Sequence, residues 1–237
     1  MTKLHGTSQR VPQAGDLTQT GLVILDFDGV VANSEVISLS TLRAAMGEFG
    51  LHLEPDQVRH RYLGVAIDKI EQDLEAQGSF RTSVGFRKAW HDALFERFRN
   101  ELTPVPGLAG LLDRIDDRGI PYCIASSGTL DRIGVALDSM RLGGRFKHVF
   151  SAQQVEHGKP APDLFLHAAD AFNILPGQCL VIEDSPHGIR AAKSAGMRAI
   201  GFLGGEHLTG IRDAHRKLLI EADADEVFES LDEIMIG

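Results

Sequence analysis

Cysteine is scarce in this chain: there are two among 237 residues, Cys123 and Cys179, each set in an apolar run. That excludes a disulfide framework and any metal centre built on clustered thiolates, and leaves two buried thiols of a reducing compartment as the expectation. Tryptophan occurs once, as Trp90, amid helically spaced apolar residues, so it is read as core rather than as a binding platform. Basic charge is in deficit, with 24 Lys and Arg against 33 Asp and Glu and a net charge of −9. This is the wrong sign for holding nucleic acid, and no nucleic-acid partner is expected. No stretch approaches the roughly 20 continuous apolar residues of a membrane span. The first twenty residues also lack the apolar run of a secretory signal. A soluble, cytoplasmic protein without a membrane partner is therefore expected, with a monomer as the default. The ten histidines show no metal-ligand spacing.

What is present is an ordinary globular composition, 43% hydrophobic and 24% charged, enough for a sizeable core. Residues 1–20 are polar and aperiodic and read as a mobile tail. From Gly21 short apolar runs recur, each ending in polar residues. Leu22 to Leu25 runs into Asp26-Phe27-Asp28-Gly29, and Ile120 to Ala125 into Ser126-Ser127-Gly128. Gln178 to Ile182 leads to Glu183-Asp184-Ser185, and Met197 to Phe202 to Leu203-Gly204-Gly205; a weaker run spans Lys147 to Ser151. Helical stripes such as Leu108, Leu111, Leu112 and Ile115 lie between them. Buried strands alternating with helices give an α/β fold, a Rossmann-like parallel sheet core covered by helices on both faces. Residues 34–100 break the alternation with helical stripes (Leu39, Leu42, Met46, Phe49; Ile67, Ile70, Leu74; Trp90, Leu94, Phe98) and read as an inserted all-helical cap domain. The core domain is then 21–33 with 101–237, and linkers at Ala32 to Ser34 and Leu102 to Gly107 would act as hinges.

Ligands of such sheets bind beyond the carboxyl ends of the strands, where these polar clusters lie. Asp26 and Asp28 at i and i+2 would project to one side if the strand persists, with Gly29 permitting the turn beyond. Placing Glu183 and Asp184 beside them requires a cation. Mg²⁺ suits an all-oxygen set, and the ligands expected are Asp26, Asp184 and the Asp28 backbone carbonyl, with Glu183 outer or alternate. Ser126, Ser127 and Gly128 precede a helical stripe whose free N–H groups form an anion site. Lys159, between Gly158 and Pro160, supplies a cation in a restrained loop. A carboxylate nucleophile, a metal, a hydroxyl, N–H donors and a cation together make a phosphoryl-transfer site.

These segments, Asp26-Phe-Asp-Gly-Val, Ser126 after Ile124-Ala125, Gly158-Lys159-Pro160-Ala161-Pro162-Asp163 and Glu183-Asp184-Ser185, stand in the order of the four motifs of haloacid dehalogenase-like hydrolases. From residue 21 onward the chain resembles that family, and the helical insertion resembles its small cap. The resemblance implies a two-step mechanism in which Asp26 attacks phosphorus and Asp28 protonates the leaving alcohol and later activates water. Ser126 and Lys159 would bind phosphoryl oxygens, and Asp184 the metal. A second aspartate at Asp28 argues against a dehalogenase. Sugar phosphomutases of the beta-phosphoglucomutase type are similar across cap and core. However, their Gly-x-Ser-Arg cap run is Gly64-Val65-Ala66-Ile67 here, and their first-helix histidine is Ser38. A Mg²⁺-dependent phosphatase of a small phosphorylated metabolite, a sugar phosphate or phosphogluconate-like compound, is the expectation. The mutase is the alternative, followed by a receiver-like phospho-acceptor switch. Ser127, Gly128, Gly29, Arg59, Gly64 and Lys69 are the residues expected to meet phosphate or substrate, the last three from a cap loop.

Overall fold

The computed structural model describes residues 20–65, 67–76 and 85–236. Strands β1 (Leu22–Leu25), β2 (Tyr122–Ser126), β3 (Val149–Ser151), β4 (Cys179–Glu183), β5 (Arg198–Phe202) and β6 (Glu226–Phe228) form one sheet in the order β3-β2-β1-β4-β5-β6. All its pairings are parallel. The chain builds outward from β1 through β2 to β3, then crosses to β4 on the other side of β1. The reversal opens a crevice at the carboxyl ends of β1 and β4, the usual ligand position in an open parallel sheet.

The unbroken apolar character of β1 has a direct cause, since both of its faces are covered. Val23 and Leu25 join one apolar cluster, with Leu111 and Ile115 of α5 (Leu108–Asp116) and Ile133 and Leu137 of α6 (Leu130–Ser139). Leu22 and Ile24 join the opposite cluster, with Phe165 and Ala168 of α7 (Asp163–Phe172), Ile189 and Ala192 of α8 (Pro186–Ser194) and Leu219 of α9 (Arg212–Glu221). Continuous apolar strands are the mark of this two-sided burial.

Between β1 and α5 the described residues hold α1 (Ser34–Glu48), α2 (Pro55–Tyr62), α3 (Ile67–Ala76) and α4 (Phe86–Glu101). Leu42 and Met46 of α1 and Trp90, Leu94 and Phe98 of α4 are buried in the same cluster as Val23 and Leu25. The inserted helices therefore share their core with one face of the sheet. Two short bridges, Asp28 with Ala32 and Ala32 with Pro104, pin the points where the insertion leaves and re-enters.

Two readings of the sequence change. The stretch with Arg59 to Tyr62 is not a loop but α2, started by Pro55 at its first position, with Gln57 Oε1 accepting from the Glu54 N–H at 2.9 Å. Only Val58 and Tyr62 of α2 are buried, too few to register as a stripe. Thr20, placed in the tail by its polarity, is buried; residues 1–19 lie outside the described residues. The last helical segment is a short 3₁₀ turn over Leu231–Glu233. Among the described residues, no helix is long and apolar enough to cross a membrane.

Candidate active site

The carboxyl ends of β1 and β4 bring three buried acids together. Asp26 follows β1 and its N–H donates to Ile182 O at 2.9 Å, Glu183 closes β4, and Asp184 comes next. One oxygen from each lies within 4.8 Å of the others. Lys159, on the loop between β3 and α7, points its ammonium into the group. Its Nζ donates to Asp26 Oδ1 (2.5 Å), Glu183 Oε1 (2.8 Å) and Ala125 O (3.0 Å), and the side chain is 4% exposed. The second Glu183 oxygen accepts from the Ser185 N–H at 2.6 Å. Both Glu183 oxygens therefore already have protein donors.

Glycine is required at two points around this cluster. Gly29 has φ +86°, and a Cβ there would overlap Asp184 Oδ2; a Cβ on Gly188 would overlap the Glu183 carboxylate.

Asp28 faces a different set of partners. The strand ends at Leu25, so the alternation that would have set Asp26 and Asp28 side by side does not continue. Asp28 accepts from Arg132 through both oxygens, Nη1 to Oδ2 at 2.8 Å and Nη2 to Oδ1 at 2.7 Å, and from the Ser34 hydroxyl. Arg132 Nη2 also donates to Ser38 Oγ at 3.0 Å, and the guanidinium lies 5.7 Å from the centre of the Phe98 ring. One side chain from α6 thus ties Asp28 to both α1 and α4. Sequence reasoning missed Arg132. The available signal was a cation beside Ile133, in a helical stripe that follows the Ser126 turn.

Two histidines were also missed. His207 Nε2 stands 3.2 Å from Asp184 Oδ2, and His215 Nε2 is 2.6 Å from Asp184 O. They hold Asp184 at its side chain and at its backbone.

Crowding of acids sets the electrostatics. Burial, then the charges of Glu183, Asp184 and Asp28, push the Asp26 carboxyl well above the usual range against the pull of Lys159. Asp184 is raised by burial, Glu183 and Asp28. Burial draws Lys159 down, but Asp26 and Glu183 more than offset it and the ammonium is held charged. Burial and Asp28 push Glu35, at the start of α1, up to about 7. Buried carboxyl oxygens this close, with one lysine among them, fit a hard divalent cation, and Asp26, Glu183 and Asp184 could hold it.

The remaining expected residues divide. Ser126 ends β2 fully buried, its Oγ accepting from the Gly128 N–H at 3.0 Å. The start of α6 is less open than expected. Thr129 caps it by accepting from the Arg132 N–H, and Gln153 Oε1 accepts from the Leu130 N–H at 3.1 Å. Those two N–H groups leave the set of anion donors. Arg59 pairs with Asp56 at the surface of α2 (3.1 Å). Gly64 occupies the turn after α2 with φ +69°. Among the described residues, Lys69 lines a cavity of about 560 Å³ with Arg61, Tyr62, Val65 and Asp73, all from the inserted segment.

The family model described as haloacid dehalogenase-like hydrolase matches residues 23–202, which takes in β1 through β5. The chain belongs to that family. Within it, the chain is similar to the 6-phosphogluconate phosphatase of Escherichia coli (strain K12), 27% identical over 78% of this chain and 83% of that protein. It is likewise similar to the phosphorylated carbohydrates phosphatase of Thermotoga maritima, at 28% over 75% and 82%. A crystal structure of a hydrolase of the family from Deinococcus radiodurans R1, with bound phosphate and sodium, superposes with a TM-score of 0.71 at 29% identity. It covers 90% of this chain and 93% of that one. The four segments that resemble motifs of that family lie at Asp26 to Gly29 after β1, at Ser126 ending β2, at Lys159 in the loop before α7, and at Glu183 and Asp184 at the end of β4.

Proposed function

We propose that this hydrolase is a Mg²⁺-dependent phosphatase of a small phosphorylated metabolite of the sugar-phosphate class, acting through a phosphorylated Asp26. The observation that carries the reading is the grip of Lys159 on a buried Asp26 beside Glu183 and Asp184, with Asp28 two residues on. Phosphatases among the relatives support it.

Asp26, Asp184 and the Asp28 carbonyl would hold the Mg²⁺, which when bound supplies positive charge to the phosphoryl oxygens. Lys159 adds its own charge there and fixes the attacking carboxylate. An Asp26 oxygen forms a bond to phosphorus as the ester P–O bond breaks, and the Asp28 carboxyl gives its proton to the departing oxygen. Water then attacks the same phosphorus, Asp28 takes its proton, and Asp26 is released as a carboxylate with inorganic phosphate. Ser126 Oγ and the Ser127 backbone line the phosphoryl group. Residues 34–100 serve as a cap over the core formed by 21–33 and 101–237; contacts of Ser34, Ser38 and Phe98 with Asp28 and Arg132 support a cap whose base lies by the acid.

Phosphate release from a panel of sugar, polyol and carboxylate phosphates in Mg²⁺ is the test. Asp26→Asn is expected to fall at least about a thousandfold, the scale on which loss of a covalent nucleophile acts. Full activity in that variant, or an isomerised sugar phosphate in place of free phosphate, would overturn the proposal.

A further inference from the structure

We infer that Arg132, Ser38 and Glu35 form the subsite for the part of the leaving alcohol nearest the ester oxygen, and that this subsite takes a neutral polyhydroxylated chain rather than a carboxylate. The inference rests on the phosphatase reading above, which places the ester oxygen beside Asp28. Whatever is attached to that oxygen then lies against the groups that surround Asp28, and Arg132 is foremost among them.

Arg132 has the chemistry of a binding group. Its side chain is 12% exposed, and three of its donor contacts go to Asp28 and Ser38. Among the described residues, its buried Nε has no hydrogen-bond partner. A buried N–H left unpaired costs about 1–3 kcal/mol, so an acceptor brought to it by substrate gains more than one bound at the surface. Glu35 and Ser38 are i, i+3 neighbours on α1, hence on one face of that helix. Ser38 touches Arg132, and the Glu35 carboxyl lies within electrostatic reach of Arg132 and Asp28. Donor and acceptor thus flank the same place. A hydroxyl group satisfies both at once, because it donates and accepts.

The distribution of charge selects against an anion. The positive charge of Arg132 already faces Asp28, and that of Lys159 faces Asp26 and Glu183. Glu35 adds a further carboxyl to the same neighbourhood, outside the set that Mg²⁺ would neutralise. A carboxylate next to the ester would meet the Glu35 carboxyl, and like-charge juxtaposition costs several kcal/mol where water is excluded. A polyol brings no such penalty.

The experiment compares esters of matched length in the full chain with Mg²⁺: glycerol phosphate against phosphoglycerate, and a four-carbon polyol phosphate against its aldonate counterpart. p-Nitrophenyl phosphate serves as a plain ester. The expected kcat/KM for each polyol ester exceeds that of its carboxylate partner by at least about tenfold. Glu35→Gln is expected to narrow that ratio several-fold by raising the carboxylate member. Arg132→Gln is expected to raise KM for the polyol esters. An active enzyme that prefers the carboxylates or treats the pairs equally, or a ratio unmoved by Glu35→Gln, would overturn the inference while leaving the phosphatase reading intact. No phosphate from any ester, the plain one included, would remove both.

Discussion

Asp26 and Gly29 stand three residues apart and depend on each other through a third residue. The positive φ of Gly29 turns the chain back beneath the carboxylates, and the space its missing side chain leaves is filled by Asp184. Gly29→Ala is therefore expected to displace Asp184 and abolish phosphate release. The measurement is activity together with circular dichroism, which should show a folded chain. Glu35 gives a second prediction, with a definite sign. Its carboxyl titrates near 4.5 when unfolded and at about 7 in the fold. The folded protein therefore binds the extra proton between those values, and the contribution of Glu35 to the stability of the metal-free protein is full below the lower one and is lost as pH rises through 7. The drop is about 3 kcal/mol. Urea unfolding in EDTA at about pH 5 and pH 8 measures it as the difference between the parent and Glu35→Gln, whose profile should be shallower. At this scale Asp26, Lys159, Glu183 and Asp184 were legible because each sits at the end of an apolar run or in a proline-restrained turn. Arg132, His207 and His215 were not, since each acquires its partner only when distant segments meet.

Element by element, local chemistry and packing contribute in different proportions. Thr129 caps α6 by accepting from the Arg132 N–H, so Thr129→Ala is expected to destabilise by about 1 kcal/mol. The same change loosens the helix turn that carries Arg132, and should raise KM more than it lowers kcat. In α4 the fully buried Leu94 packs within the cluster shared with the sheet. Leu94→Ala is expected to cost about 2–5 kcal/mol in denaturant melts. A single cooperative transition should persist, because the inserted helices and the sheet face share one apolar cluster. The strands and the longer helices could be read from their period. The α2 helix could not, because a two-turn helix with two buried residues carries almost no periodic signal and is recognised only by Pro55 and Gln57 at its start.

For the whole molecule, the net charge of −9 includes a buried knot of carboxyls that repel one another at the crevice between β1 and β4. A divalent cation that neutralises them should stabilise the fold by mass action, about 2.7 kcal/mol at a hundred times its dissociation constant. Thermal melts with and without Mg²⁺ test this. Asp184→Asn is expected to be more stable than the parent in EDTA and to lose the Mg²⁺-dependent rise. An unchanged Mg²⁺ response in that variant would count against Asp184 as a ligand. The sequence alone determined the parallel sheet, the helical insertion after its first strand and the four segments that supply the candidate site, because those features are written in local patterns of apolar spacing and turn residues. Tertiary structure decided which carboxylate meets which cation. The end of β1 at Leu25 turned Asp28 away from Lys159 and toward Arg132. Helix packing also left Arg59 at the surface of α2 and brought Ser38 to the guanidinium of a core helix. The Arg132 pairings join residues roughly a hundred positions apart in the chain. They depend on how the inserted helices pack against the sheet, and spacing along the sequence carries no record of that.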